Sequence, residues 1–381
     1  MMVWTGETKY VSLLRRHLDL EIKGARLNQR FNQGVHTMKN SIITGVDLAK
    51  KIMHFVVTDE TGKMIKRFKS NRDQFLIDLG SLPQDTLIAM EACGSSNYWA
   101  QEIKRLGFRV KLLKTKDVKI YAKSKQKNDY NDALAITKAA RDPELKEVRA
   151  KNKEQQGVSL LHKTRQNTIR DRIQKTNSLM STLLEFGYGT ELSKGKFCKM
   201  CDQEVKAAYD AELINNQVYE LLKVDCNEIA NLCQKEKMID KIIVENNKQS
   251  EHAIRLQGII GIGPINASCL NNAPMENYKD ARDFAASLGL VPKQNTSGDK
   301  VTLGSITKQG DRYARTMLIQ AGRSVVIRAK TGEASKDKLI SWVQKKIIEG
   351  KPFNVLCVAV ANKLARIAYM VKMHKMEYRA A

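Results

Sequence analysis

The sequence has no long hydrophobic run. No stretch of about 18 apolar residues occurs, which is the length that a membrane-spanning helix needs. The amino-terminal residues also lack the apolar centre of a secretory signal peptide. These absences argue against a membrane or exported protein and predict a cytoplasmic one.

Cysteine is scarce and scattered. The seven cysteines are odd in number, which suits reduced thiols better than a disulfide framework. Cys198 and Cys201 form a lone "CKMC", and a structural zinc site needs a second pair of ligands. The remaining candidates are dispersed in the sequence, so a zinc site is not expected here.

Acidic residues are too few to balance the basic ones. The chain has 65 Lys and Arg against 41 Asp and Glu, which gives a formal net charge of +24. Such a balance favours a polyanionic partner, most simply nucleic acid. Hydrophobic residues make up 42% of the 381, enough to build the cores of two or three domains.

Four parts are predicted along the chain. Residues 1–40 lack periodicity and are predicted to be a loose amino-terminal extension. Residues 41–150 begin with three strand patterns, "SIITGVDLA", "IMHFVVTD" and "MIKRFK", and then alternate helix and strand, which predicts a mixed α/β sheet domain. Residues 151–255 are predicted to be a helical, coiled-coil-like region. Residues 256–381 are predicted to form a mostly helical carboxy-terminal domain.

The helical region contains a heptad-like seam. Its apolar residues in the second half follow a 4-3 spacing: Val218, Leu222, Ile229, Leu232, Ile239 and Ile243. In the first half, Ile169, Ile173, Met180 and Leu183 also fall at helical spacing. Two structures fit this pattern: two antiparallel helices within one chain, or a coiled coil between two chains.

Four acidic residues lie where strands end and a helix begins. Asp47 ends the first strand, Glu91 ends the strand "TLIAMEA", and Asp129 and Asp132 share one face of a helix after a lysine-rich run. Carboxylates are the ligands that Mg²⁺ prefers, and phosphoryl transfer often uses two such ions. The alternative is that the helix acids serve only as cap and dipole partners.

The segments "GVDLAK", "MEACGSSNYWAQEIKRLG" and "KNDYNDALAI" resemble, in that order, the amino-terminal half of the IS110-family transposases, including their IS1111-type branch. That half resembles the RuvC-like nuclease fold, whose metal ligands follow an Asp-Glu-Asp-Asp order. The resemblance implies metal-ligand roles in catalysis for Asp47, Glu91, Asp129 and Asp132. It also implies that the preceding lysines, Lys127 among them, hold the nucleic-acid backbone.

The segment "GLVPKQNTSGDKVTLGSITKQGDRYAR" resembles the carboxy-terminal domain of the same family. The resemblance implies that Ser297 is the catalytic nucleophile. The family often has Ser-Ser-Gly-Gly at this point, and the chain departs from it at Thr296 and Asp299. Ser305 in "LGSIT" is therefore the nearest alternative, and a turn serine that only bonds its backbone is the third possibility.

Basic residues follow the serine. Lys308, Arg312 and Arg315 have the chemistry to hold phosphate oxygens or to stabilise charge during phosphoryl transfer. No histidine occurs in this segment, which argues against a Ser-His-Asp hydrolase.

Upstream, "IIGIGPINA" resembles a helix-hairpin-helix, in which Gly261 and Gly263 would let backbone amides approach a phosphate. A tight turn with both glycines in left-handed conformations is the alternative.

Three functions are therefore compared. The first is a DNA transposase of a mobile element that uses Mg²⁺, a serine nucleophile and, as the resemblance implies, a structured non-coding RNA. The second is a metal-only, structure-specific nuclease such as a junction resolvase, and the third is a non-catalytic nucleic-acid scaffold. A homodimer or a homotetramer is expected, because recombination joins two DNA duplexes.

Overall fold

The structure is a computed structural model that describes residues 42–122, 128–297, 300–332 and 337–379. The predicted extension over residues 1–40 and the predicted contact at Lys127 lie outside the described residues. The chain divides into two compact units, the first ending at Val148 and the second beginning at Arg149.

A five-stranded mixed sheet forms the centre of the first unit. Its strands are β1 (Ile43–Asp47), β2 (Ile52–Thr58), β3 (Met64–Asn71), β4 (Leu87–Glu91) and β5 (Arg109–Leu113). Across the sheet they follow the order β3-β2-β1-β4-β5. Neighbours β1, β2 and β3 pair antiparallel, whereas β1, β4 and β5 pair parallel. This topology confirms the predicted RuvC-like mixed sheet.

The central strands are buried on both faces, because β1 and β4 each have four consecutive buried residues before a terminal acid. The helices of this unit are α1 (Phe75–Gly80), α2 (Ser96–Arg105), α3 (Thr115–Val118) and α4 (Asp129–Arg141). The edge strand β3 is mostly exposed and basic, as expected of a strand with no second neighbour among the described residues.

Helix α4 lies against β1 at a point where only glycine fits. A Cβ atom added to Gly45 would lie 2.2 Å from the backbone oxygen of Ala133 and 2.7 Å from Cγ2 of Thr137. The missing side chain lets the helix approach the strand closely. This contact positions the first turn of α4 beside the end of β1.

We expect Gly45→Ala to destabilise the protein by about 3 kcal/mol, because the added methyl group meets backbone atoms that cannot move aside. The measurement is urea unfolding followed by circular dichroism. Gly80→Ala is the matched control, since an added Cβ there meets nothing within 4 Å. Equal stabilities of the two variants would contradict the close packing of α4 on β1.

Two helices of 33 residues dominate the first part of the second unit. They are α5 (Lys153–Glu185) and α7 (Asn216–Lys248), and the shorter helix α6 (Lys194–Asp210) lies between them in sequence. Ion pairs join α5 to α7 in reverse order along the chain: Arg165 with Asp240, Arg172 with Glu236, and Lys175 with Asp225. The two helices therefore pack antiparallel within one chain, which is the first of the two structures that the heptad pattern allowed.

The buried face of α7 agrees with the predicted seam, since Leu222, Ile229, Ile239 and Ile243 are buried. The prediction was less accurate for α5. Ile173 is 46% exposed, whereas Thr176 and Leu179 are buried. A helix packed against two neighbours buries the side chains that their crossing angles select, and these need not be its most apolar ones.

The "CKMC" cysteines meet a second pair that their spacing did not reveal. Cys198 Sγ lies 3.1 Å from Cys233 Sγ, and Cys201 hydrogen-bonds Cys226. Both contacts cross between α6 and α7. The four thiols thus meet as two separate pairs, and within the described ranges the convergence of three or more potential metal ligands occurs elsewhere, among carboxylates.

The second part of this unit is helical with one hairpin. Its elements are α8 (Glu251–Gln257), α9 (Pro264–Asn271), α10 (Ala281–Ser287), β6 (Pro292–Ser297), β7 (Lys300–Ile306), α11 (Arg312–Lys330), α12 (Lys338–Ile348) and α13 (Phe353–Met373). The stretch before α11 is the antiparallel hairpin β6–β7, which the prediction of a mostly helical domain did not include. Periodicity missed it because every residue of β6 is exposed, so no apolar face alternates with a polar one.

Helix α13 is long and apolar enough to cross a membrane by length and composition, and half of its most apolar window is buried. Val360, Leu364 and Ala368 are fully buried in the hydrophobic core that α13 shares with α11. The helix is therefore the central core helix of this part of the chain, as Lys363 and Arg366 within it suggested.

Candidate metal centre and serine hairpin

Three carboxylates converge at one edge of the sheet. Asp47 ends β1, and Asp129 and Asp132 lie in the first turn of α4. One carboxylate oxygen of each lies within 4.8 Å of those of the other two. The sequence separates Asp47 from Asp129 and Asp132 by more than 80 positions, and the packing of α4 on Gly45 brings them together.

Glu91 lies beside this group rather than within it. It ends β4, the parallel neighbour of β1. Glu91 and Asp47 therefore lie at the same end of these two neighbouring strands. Burial raises the pKa of the Glu91 carboxyl; a hydrogen bond with Thr115 opposes that rise and the charge of Asp132 adds to it. The fourth predicted acid is thus close enough to interact electrostatically with Asp47 and Asp132.

The pKa of Asp47 reflects this crowding. Burial, followed by the charges of Asp132, Asp129 and Glu91, raises it from 3.8 to about 6. Like charges held together in this way repel one another unless a cation neutralises them. A set of hard oxygen donors with this electrostatic need fits a divalent cation such as Mg²⁺.

The helix acids are not needed as caps. Asn128 is the N-cap of α4, and its side chain accepts the N–H of Tyr130. The carboxylates of Asp129 and Asp132 are therefore available for another role, although both still favour the positive end of the helix dipole. This arrangement weakens the alternative that they serve only the helix.

Sequence reasoning missed His54. Its Nδ1 atom lies 3.4 Å from Asp129 Oδ2, and its strand position pairs directly with Asp47 across the β1–β2 hairpin. The ring of Tyr130 contacts His54 edge-on, with centroids 4.9 Å apart. The register of the β1–β2 hairpin could have revealed His54, because it places this residue opposite Asp47.

Ser297 lies at the exposed end of the second-unit hairpin. It is the last residue of β6 and pairs with Lys300 of β7. Among the described residues, the Ser297 hydroxyl has no hydrogen-bond partner, and Gly298, which follows it in the turn, lies outside them. Asp299 lies outside the described residues. Ser305, the alternative nucleophile, is also exposed but lies at the other end of β7.

Two sequence profiles of known families match the chain. A profile described as a transposase, of the DEDD type in the IS110 family, matches residues 44–187 and covers all four acids. A second profile, described as a transposase of the IS116/IS110/IS902 family, matches residues 253–338 and covers the serine hairpin.

Complete transposases also align with nearly the whole chain. A probable family 20 transposase of Pseudomonas aeruginosa is 34% identical over 88% of this chain and 98% of its own length. The transposase for insertion sequence element IS1328 of Yersinia enterocolitica is 34% identical over 88% and 97%. The chain belongs to the IS110 family of transposases. The transposase for insertion sequence element IS1111A of Coxiella burnetii, 31% identical over 92% of this chain and 94% of its own, supports the IS1111-type branch.

As a transposase, the protein acts on DNA, and the residues expected to contact it differ in their surroundings. Lys308 and Arg312 are exposed near the start of α11. Arg315 is only 8% exposed, and its guanidinium donates to the backbone oxygens of Leu288 and Gln309 at 3.0 and 2.6 Å. Arg315 thus holds the loop that carries Lys308, and it is not placed to reach a phosphate itself.

The two glycines of the predicted helix-hairpin-helix also differ. Helices α8 and α9 flank the turn, as expected. Gly261 has φ +81°, and a Cβ atom there would lie 2.5 Å from Cγ2 of Val325, so this glycine permits close packing on α11. Gly263 has φ −82° and is extended rather than left-handed, which corrects the alternative reading of the turn. It is exposed at the N-cap of α9, and a Cβ atom added there would meet nothing within 4 Å.

Metal-free protein is expected to lose stability as pH rises from about 4 to about 7. Because the pKa of Asp47 is about 6 in the folded protein and 3.8 as its ordinary value, the folded state binds more protons in this range. The free energy of unfolding should fall by roughly 1–3 kcal/mol, allowing for screening by solvent. Thermal unfolding in EDTA at pH 5 and pH 7.5 measures this effect.

Asp47→Asn should abolish most of that pH dependence and raise the metal-free melting temperature at pH 7.5. Adding Mg²⁺ or Mn²⁺ should stabilise the wild type but not this variant. Asp85→Asn, an exposed site just before β4, is the matched control. Identical pH profiles for wild type and Asp47→Asn would show that the acids do not repel one another in the folded protein.

Proposed function

We propose that this transposase excises and inserts a DNA element by cleaving and rejoining strands, with Ser297 as nucleophile and Mg²⁺, as two ions, at the acidic centre. The observation that carries the proposal is the convergence of Asp47, Asp129 and Asp132 at one edge of a RuvC-like sheet. A protein with a net charge of +24 has no electrostatic reason to concentrate acids near its substrate unless a cation joins them.

Each acid has a role in this proposal. Asp47, Asp129 and Asp132 supply the oxygen ligands, and Glu91 completes the set from the neighbouring strand. Mg²⁺ bound there would withdraw charge from the scissile phosphate and stabilise the developing negative charge. His54 lies beside the Asp129 carboxylate on β2, where a protonated imidazole would pair with it.

Ser297 performs the covalent step in the proposal. Its oxygen forms a bond to the DNA phosphorus while the bond from phosphorus to the leaving DNA oxygen breaks. The hydroxyl proton passes to solvent or to that leaving oxygen, so a phosphoserine linkage and a free DNA hydroxyl result. Attack by the freed hydroxyl of another strand reverses the step and restores the serine. Lys308 and Arg312 would hold the non-bridging phosphate oxygens.

The partners follow from the same chemistry. The substrates would be the element ends and a target duplex, and a structured non-coding RNA of the element would select them, as the family resemblance implies.

The proposed division of the chain is a nuclease domain over residues 41–150, a helical region over 151–255 and a transposase domain over 256–381. A homodimer or homotetramer would allow the acids of one protomer to act with the serine of another, in the cytoplasm beside the nucleoid.

A junction resolvase is the alternative that a specific observation favours. The acidic centre would suffice for metal-dependent hydrolysis without any serine. The exposed Ser297 hydroxyl and the match of the second family profile favour the transposase. The two functions differ in one product, a covalent link between protein and DNA.

The test uses purified protein, Mg²⁺, a labelled DNA carrying the joined element ends, and RNA transcribed from the adjacent non-coding region. A denaturing gel separates free cleaved DNA from a protease-sensitive adduct. An adduct supports the serine mechanism, and cleavage without an adduct supports the resolvase. Omitting RNA or replacing Mg²⁺ with EDTA tests the guide and the metal separately.

A further inference from the structure

A cavity of about 640 Å³ lies in the second unit, away from the serine hairpin in sequence. Helices α12 and α13 form its walls, and the carboxy-terminal segment closes one side. Its volume falls within the range of small-molecule sites, so it holds one nucleotide-sized group but no duplex. The residues that carry the following argument are Lys338, Trp342, Lys363, Arg366, Tyr378 and Arg379.

The lining is strongly positive. Four of its residues are Lys or Arg, and Glu377 is the one carboxylate among the described residues that line it. Its remaining surface is largely apolar, with Ile367 and Met370 on α13. A cavity with this combination suits a ligand that has both an anionic and a flat apolar part.

Trp342 provides a flat face. The Nζ atom of Lys363 lies over its ring, 4.4 Å from the centroid, a cation–π contact that places the lysine on one face of the indole. Bases of single-stranded nucleic acid stack on such aromatic faces, and neighbouring cations hold the phosphates.

Arg366 supplies an independent observation. Its Nε atom is buried and has no hydrogen-bond partner among the described residues. A buried N–H donor without an acceptor is destabilising, so such a group is normally paired. Since the Nε atom itself is buried, an anionic oxygen in the cavity would be held by the part of the Arg366 guanidinium that lines it.

The wall opposite α13 is held in place. The Tyr378 hydroxyl donates to the Asp337 carboxylate, 2.8 Å from Oδ2. Asp337 in turn accepts the backbone N–H of Leu339 at the start of α12. The carboxy-terminal segment is thus tied to the helix that carries Trp342, and the cavity is formed before any ligand arrives.

We infer that this cavity captures one unstacked nucleotide of a nucleic-acid strand, with the base on Trp342 and its phosphate on Arg366 and Lys363. None of the residues of this cavity has a part in the proposed metal binding or in the proposed serine step. DNA and RNA both offer such a nucleotide, and the experiment below distinguishes them. The inference does not depend on the serine mechanism.

The test measures binding of fluorescent eight-nucleotide strands, oligo(dT) and oligo(U), to the full chain in EDTA, so that no cleavage occurs. Trp342→Ala should weaken binding at least about fivefold, the effect of losing one stacked base. Arg366→Gln should weaken it more than Arg328→Gln, which removes an equal charge from an exposed position on α11. The strand bound more tightly identifies the source of the nucleotide.

A second readout guards against a folding defect in Trp342→Ala. Wild-type indole fluorescence should be quenched by the strand but not by an abasic strand with the same phosphates, and Trp342→Phe should lose the quenching while keeping most of the affinity. Equal binding by Arg366→Gln and Arg328→Gln, together with quenching that survives in Trp342→Phe, would overturn the inference. Failure of adduct formation in the Mg²⁺ assay would leave this result untouched, because binding is measured without metal.

Discussion

Asp132→Asn is expected to reduce DNA strand cleavage at least about a hundredfold, because it removes a charged ligand from the proposed metal centre. Asp132 is the acid whose charge acts on both Asp47 and Glu91. The substituted amide keeps the shape of the side chain but cannot balance a divalent cation. Cleavage of labelled element-end DNA, measured as a rate over a range of Mg²⁺ concentrations, tests this expectation.

The control for that variant is Asp85→Asn, which loses one acidic charge at the opposite end of β4. It should cleave at the wild-type rate. Asp132→Asn should still bind DNA, since electrostatic repulsion near the phosphates is lowered rather than raised. A wild-type cleavage rate in Asp132→Asn would remove the acidic centre from the mechanism.

Ser297→Ala is expected to abolish the covalent protein–DNA adduct, with a loss of at least about a thousandfold. The reason is that no other atom of the side chain can form the phosphoester bond. Metal binding should persist, so Mg²⁺ should still raise the melting temperature of this variant. The measurement is a denaturing gel with and without protease, combined with thermal unfolding.

Ser305→Ala is the matched comparison, since both serines are exposed on the same hairpin. If Ser305→Ala loses the adduct and Ser297→Ala retains it, the nucleophile lies on β7 instead. If both variants form the adduct, neither serine is the nucleophile. If both cleave DNA normally while the wild type forms no adduct, the protein acts as a metal-only nuclease.

Local sequence patterns were sufficient for the sheet of the first unit. The runs around β1, β2 and β4 are apolar, and a turn at Asp59 and Gly62 separates β2 from β3. The Asp59 side chain accepts the N–H groups of Thr61 and Lys63, a contact between near neighbours that sequence alone implies. Patterns of this kind are visible because each depends on a few consecutive residues.

The hairpin β6–β7 shows where such patterns stop. Every residue of β6 is exposed, so burial leaves no periodic mark on the sequence of that strand. Family resemblance located Ser297 within this segment, but only the three-dimensional pairing places it at the end of a strand opposite Lys300. The burial of Arg315 was equally hidden, because its carbonyl partner at Leu288 lies 27 residues away.

The sequence by itself determined the mixed sheet, the long helices, the basic charge and the identity of the four acids. Tertiary structure decided which groups meet: α4 on Gly45, His54 beside Asp129, and α5 antiparallel to α7 within one chain. The physical reason is range. Strand and helix propensities depend on neighbours along the chain, whereas contacts such as these depend on register and close packing between segments far apart in sequence.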